Sequence, residues 1–426
     1  MFKKIASNTF AQLVAKFVGA GLTLLTTYYI IRLAGLDLYG NLTKVLVLVA
    51  VGFTAIDFGL NAEAVRYGNT LARLRSVLGS VILTRFFLSL LVIGILNLVI
   101  IVLPGGYSPA VKSIFWLASL AIIFQGIYTS GNAWFQSNLS YWRPTLSVVV
   151  GSLVGTLLTL YFLAHHPTLF NLILANTLGY LAMALCTLFL LCTSGAIAPE
   201  KCLQIRSNLG GPRPYDFMTL RLSTIFPLLR RSLILGLILI ASVLASKLDT
   251  IVLGIFHPSS IVGEYGFAYR IFDVILVLPV FVMNATYPLM LKSKQSFLRP
   301  TLSTLAALGI FVAICLWIFA PQINLIKPGL TLATDVLRLL AYSLPLFYVT
   351  APLMWALISQ KRDRLVLIIY VLAALLNLCL NLAFIPGYGA HAAAINTGVT
   401  ELFIFVCLLY FSRKHLRASL FENWRI

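Results

Sequence analysis

Charged side chains stand inside long apolar runs of this sequence, and any chemistry is to be sought there first. The cations are Lys16, Arg85, Lys247, Arg270 and Arg338; the acids are Asp57, Asp249, Asp273 and Glu401, with Glu264 and Asp335 near run ends. Such a group costs about 2.5–3.5 kcal/mol at the centre of a membrane helix, so it needs a partner, a wet cavity or a task. Cations there suit an anionic ligand, and arginine suits phosphate best, because its planar fork donates two bonds at once. Carboxylates suit the exchange of protons or sodium. Lys16, Asp57 and Arg85 lie at one depth, roughly 10–12 Å from the inner ends of their runs at about 1.5 Å per residue, and are expected to form one network. Arg270 and Asp273, three apart, share a helical face and are expected to pair unless a ligand intervenes. The near balance of buried signs excludes a purely cationic funnel.

Other chemistry finds no support. The six cysteines include no C-x-x-C pair, and the histidines are adjacent (His165, His166) or isolated (His257, His391, His415). A disulfide framework, a zinc site and any metal are therefore not expected. No G-x-x-x-x-G-K-[ST] phosphate cradle occurs, and no cofactor is implied.

The elements that must hold these charges are membrane helices. The 426 residues are 60% hydrophobic and 10% charged, with a mean hydropathy of +0.97. An ordinary soluble domain has about 25% charged residues. Apolar runs of the roughly 20 residues needed to cross a slab of about 30 Å recur along the chain, without the short alternating segments of a β-barrel. The expected spans are Asn8–Ile31, Thr43–Ala64, Val77–Leu103, Val111–Gly131, Pro144–Ala164 and Leu169–Cys192, then Leu229–Leu253, Ile261–Leu289, Leu302–Phe319, Thr331–Ser359, Leu365–Ile385 and Ala390–Phe411. This is an all-α polytopic membrane protein of about 12 transmembrane helices in two six-helix halves around a central cavity. The halves are 1–192 and 229–412, joined by a cytoplasmic connector at 193–228 and followed by a tail at 413–426.

The net charge of +19 reports topology. Apart from the five cations named above, the basic residues fall almost entirely toward the side of the N-terminus, in alternate connections; only Arg32, Lys44, Lys112 and Lys327 fall toward the other side. Basic loops stay in the cytoplasm, so both termini are expected inside a plasma membrane, and attraction to membrane lipids follows from the same residues. Scattered over separate segments without an aromatic platform, these residues are not a nucleic-acid surface.

Two Tyr-Gly pairs, Tyr39-Gly40 and Tyr265-Gly266, stand at matching places in the two halves and suggest an internal repeat. Pro279, Pro288, Pro345 and Pro352 predict kinks in the eighth and tenth spans, fit for a bending gate or for ordinary bent helices. Gly151-x-x-x-Gly155 predicts close helix packing.

Several phrases together resemble a known family. They are Asn8…Lys16…Ile31-Arg32-Leu33-Ala34-Gly35…Tyr39-Gly40, Asp57-Phe58-Gly59-Leu60-Asn61…Arg66, Lys247-Leu248-Asp249…Leu253-Gly254…Val262-Gly263-Glu264-Tyr265…Ala268-Tyr269-Arg270, and Gly387-Tyr388-Gly389-Ala390…Ala392-Ala393-Ala394. In helix count and order, and in these phrases, the chain resembles the Wzx-type polysaccharide flippases of the multidrug/oligosaccharidyl-lipid/polysaccharide exporter superfamily. The resemblance implies a two-lobed transporter, not an enzyme, whose cavity opens alternately to either side. Its substrate would be an oligosaccharide on a polyprenyl pyrophosphate, with glycan polymerases or glycosyltransferases as partners and H+ or Na+ as coupling ion. On this reading Arg270, Lys247, Arg338, Lys16, Arg85 and Arg32 are the candidate substrate-binding cations. Asp57, Asp249 and Asp273 are the candidate ion-coupling carboxylates. The rival in the same superfamily is an ion-coupled multidrug/cation antiporter, which would prefer acidic cavity residues. A peptidoglycan-precursor flippase would resemble this chain with two more helices, and a membrane glycosyltransferase or polymerase would need an extracytoplasmic catalytic loop that the short outer loops do not provide.

Overall fold

The computed structural model describes residues 2–61, 71–138, 140–194, 225–279, 282–283 and 298–422, and among them every long element is an α-helix. In chain order these are α1 (Phe2–Tyr29), α2 (Leu36–Asp57), α3 (Leu71–Val102), α4 (Pro109–Ser137), α5 (Trp142–His165) and α6 (Leu169–Thr193). Then follow α7 (Ile225–Phe256), α8 (Ser259–Ile275), α9 (Leu298–Phe319), α10 (Thr331–Ser359) and α11 (Asp363–Glu422). A π-helical turn, Ile30–Ala34, joins α1 to α2 and carries Arg32. Most of the expected connector lies outside the described residues.

Among the described residues, 10 helical stretches are long and apolar enough to cross a membrane, so the chain is a multi-pass membrane protein. Two differences separate that figure from the twelve runs read in the sequence. α8 has only 17 described residues, short of a full crossing. α11 counts once although its apolar part covers 51 residues, Asp363–Arg413. At about 1.5 Å per residue that length exceeds twice the hydrocarbon thickness of about 30 Å. The break is at Gly389, whose φ of 58° and ψ of −137° suit a residue without Cβ. Just before the break, the Ile385 carbonyl accepts a bond from His257 Nε2 at 2.7 Å.

The chain forms two compact units. The first comprises Met1–Tyr29, Leu48–Leu103 and Ser108–Leu239, and the second Ile30–Val47, Pro104–Tyr107 and Ile240–Ile426. In the first, α5 and α6 meet along glycines. A Cβ on Gly151 would lie 2.8 Å from the Gly179 carbonyl, and Gly155 faces Gly179 as well, which is the close packing that the Gly-x-x-x-Gly spacing predicts.

In the second unit the repeated Tyr-Gly elements pack against one another's helices. Tyr39 and Tyr265 are buried, and Gly40 of α2 meets α8 so closely that a Cβ would stand 1.7 Å from the Ser259 carbonyl. Gly263 of α8 returns the approach, 2.6 Å from the Leu36 carbonyl. Lys44, read from the sequence as an outer-loop cation, is instead a helical residue of α2 that is 1% exposed. Its Nζ donates to the Gly106 carbonyl at 2.6 Å and to Ser259 Oγ at 3.1 Å, because a buried ammonium must replace the water it has lost.

Candidate functional site

Among the described residues, each unit holds a polar cluster built around an acid. In the first unit it forms where α2 ends. Phe58 (φ 43°) and Gly59 (φ 68°) turn left-handed, and a Cβ on Gly59 would stand 2.9 Å from Leu235 Cβ, so the turn requires glycine there. The turn brings Asp57 and Asn61 to one side of Arg85, from α3. Arg85 Nη2 donates to Asp57 Oδ1 at 2.8 Å and to Asn61 Oδ1 at 3.0 Å. Nη1 donates to Ser130 Oγ of α4 at 2.9 Å, and Nε to the Ile56 carbonyl at 3.2 Å. The guanidinium thus joins α2, α3 and α4 while only 1% exposed, and Asp57 keeps 33% of its side chain exposed.

The pairing of Asp57 with Arg85 is the part of the expected network that forms. Lys16 does not join it: the residue is exposed on α1, and no bond links it to either partner. Arg85 is also corrected as a substrate cation, because its donors point into protein.

In the second unit the centre is Asp249, on α7, which is 0% exposed. Thr250 donates to Oδ1 through its backbone N–H at 2.5 Å and its hydroxyl at 3.1 Å. Tyr265 of α8 and Thr397 of α11 donate to Oδ2 at 2.6 Å and 3.0 Å. No basic group among the described residues is within ion-pair distance of it. Its hydrogen bonds come from one backbone N–H and three hydroxyls.

Beside it runs a closed set of amides and hydroxyls across the two arms of α11. Asn396 donates to Asn381 at 3.0 Å, Asn381 to Asn377 at 2.7 Å, Asn377 to Thr400 at 3.0 Å, and Thr400 to the Asn396 carbonyl at 2.7 Å. One residue beyond Thr400, the buried Glu401 accepts a hydrogen bond from Thr350 of α10.

The remaining candidates are placed separately. Asp273 pairs with Lys247 of α7 at 2.8 Å, and Lys247 also sits 4.3 Å from the Tyr269 ring centroid, so the expected Arg270–Asp273 partnership gives way to one between helices. Arg270 is half-buried on α8 and Arg32 is exposed. Arg338 of α10 stacks on Trp317 of α9, 4.8 Å from the ring centroid. Sequence reasoning missed Asn61, Ser130, Thr397 and the Asn377–Asn381–Asn396–Thr400 set. The usable signal was spacing: Asn377 and Asn381 are one helical turn apart, as are Asn396 and Thr400, in otherwise apolar helices.

A family model described as polysaccharide biosynthesis protein matches residues 5–294, more than half of the chain. No curated protein matches the sequence. Among solved structures, the lipid II flippase MurJ in an inward closed conformation has a TM-score of 0.73 at 14% identity, covering 97% of this chain and 90% of its own. An inward-facing multidrug resistance MATE family transporter of the MOP superfamily has 0.68 at 14%, covering 95% of each chain. A MOP superfamily transporter from Pyrococcus furiosus has 0.66 at 14%, covering 98% of this chain and 96% of that one. These likenesses establish the fold across nearly the whole chain.

Proposed function

Because the chain belongs to the polysaccharide biosynthesis protein family, within the multidrug/oligosaccharidyl-lipid/polysaccharide exporter superfamily, we propose that it is a flippase. It carries oligosaccharide units linked to polyprenyl pyrophosphate across the plasma membrane by alternating access. The observation that favours this over a cation antiporter is the state of the acids. Asp57 and Asp273 are ion-paired and Asp249 and Glu401 are buried, which leaves none of the four as an exposed, unpaired carboxylate to greet a cationic drug.

In this reading Arg270, helped by Lys247 or Arg338 of the same unit, draws the anionic head of the carrier. Asp249 takes up the coupling proton or sodium ion. Both termini are cytoplasmic, in keeping with the basic loops. A cysteine introduced at Lys361 is then expected to react with an impermeant thiol reagent only after cells are opened, and one at Lys327 in intact spheroplasts. The reverse pattern would refute the orientation.

The activity itself is tested in cells lacking the protein, which are expected to lose surface glycan and accumulate lipid-linked oligosaccharide on the inner leaflet. Restoring an Arg270→Lys variant should return the protein to the membrane with less than about a tenth of normal export, since lysine gives phosphate a point charge in place of a fork. Intact surface glycan together with lost efflux of a cationic dye would overturn the flippase reading in favour of the antiporter.

A further inference from the structure

Glu401 is a buried acid with no part in the coupling at Asp249. It stands on the second arm of α11, 6% exposed, and among the described residues its hydrogen bond comes from Thr350 of α10. Asp249, by contrast, accepts from one backbone N–H and three hydroxyls. No ion pair among the described residues reaches Glu401 from α7, α8, α9 or α10. Tyr269 of α8 and Tyr370 of the first arm of α11 are the titratable groups within its electrostatic reach. Asp249 of α7 stands at one remove, through Thr397, one helical turn before Glu401. A single hydroxyl is a poor replacement for the water that a charged carboxylate loses on burial.

Thr350 has a choice of acceptors. Its Oγ1 lies 3.1 Å from the Phe347 carbonyl and within bonding distance of Glu401 Oε1, and a hydroxyl has one hydrogen to give. While Glu401 is charged, that hydrogen points to the acid. Once Glu401 takes a proton from water, its own O–H donates to Thr350 Oγ1, and the threonine hydrogen turns to the Phe347 carbonyl. A threonine bonded back to its own helix often bends it. Here the bond falls between Pro345 and Pro352, each of which already removes a backbone donor from α10. The same stretch touches α8 on either side of Asp273: the Phe347 ring lies 5.5 Å from that of Phe272, and Tyr348 donates to the Ile275 carbonyl at 3.1 Å.

We propose that Glu401 is a second proton-binding site, separate from Asp249, and that its proton bends α10 through Thr350 and so shifts α8, which carries Arg270 and Asp273. The inference goes beyond the flippase reading, and its test does not depend on glycan export.

The test titrates the full-length protein in nanodiscs and reads infrared difference spectra in the carboxylic-acid C=O region. Acidification should raise a band that is lost in Glu401→Gln and kept in Asp249→Asn. Nitroxides on Thr331→Cys and Lys361→Cys, with the six native cysteines changed to serine, report the length of α10. Their separation should shorten with the same pH midpoint as the band. It should stay at the short value in Glu401→Gln, whose amide also donates to Thr350, and should ignore pH in Thr350→Val, although the band persists there. Thr350→Val keeps the test decisive if Glu401→Gln does not fold. A band unchanged by Glu401→Gln, or no band in the unmodified protein, overturns the proton site. A separation that does not move in the unmodified protein, or still moves in Thr350→Val, overturns the link to α10. Intact surface glycan in cells lacking the protein would remove the flippase reading and leave both of these readouts standing.

Discussion

Asp249→Asn is expected to leave the protein in the membrane at near-normal amount and to lower glycan export at least about a hundredfold, equivalent to about 2.7 kcal/mol. Folding survives because the groups around the carboxylate can adjust. Thr397 Oγ1 already stands 3.0 Å from the Ala393 carbonyl, and the Tyr265 hydroxyl can turn to accept from an amide. Transport does not survive, because the amide cannot gain or lose charge. With the carboxylate charged, Tyr265 and Thr397 both donate to Oδ2 and tie α7 to α8 and α11. A proton or a sodium ion on that oxygen removes an acceptor site, so one hydroxyl must turn away and the tie loosens. Asparagine fixes one arrangement permanently. Export assayed in cells beside membrane abundance checks this, and near-normal export by Asp249→Asn would remove Asp249 from the coupling step.

How much of this was legible in the sequence depended on the range of each rule. Hydropathy acts over a whole helix, so the membrane passes could be read, including both arms of α11, because Pro386-Gly387 and Gly389 stand between two apolar runs. The depth rule placed Asp57 beside Arg85 but carried no information about azimuth, and Lys16, at equal depth, faces elsewhere. Spacing of three residues joined Arg270 to Asp273 on paper, since that rule knows only its own helix; Lys247, 26 positions away, reaches the carboxylate first. The amide set of α11 was illegible for another reason. Asn and Thr enter membrane helices at modest expense, and only the fold showed that Asn377, Asn381, Asn396 and Thr400 satisfy one another.

The Arg85–Asp57 clamp gives the other large effect, in stability. The two residues are not equivalent, since Arg85 is 1% exposed whereas Asp57 keeps 33% of its side chain exposed. Asp57→Ala strands a cation in the unit with only neutral acceptors, Asn61, Ser130 and the Ile56 carbonyl, and breaking a buried pair from one side costs about 3–5 kcal/mol. Arg85→Met leaves the acid at the end of α2, one-third exposed and so less desolvated than the guanidinium, and fills most of the vacated volume, so its loss should be smaller. Adding Arg85→Met to Asp57→Ala removes the stranded charge, and the double variant should therefore be more stable than Asp57→Ala alone. A coupling of about 1–3 kcal/mol is expected across the cycle. Lys16→Ala, outside the clamp, should add independently to either single change. Thermal unfolding of the purified variants in detergent measures all of these together. Strictly additive losses for Asp57 and Arg85, or coupling of either to Lys16, would contradict the contact on which the first unit's polar centre is built.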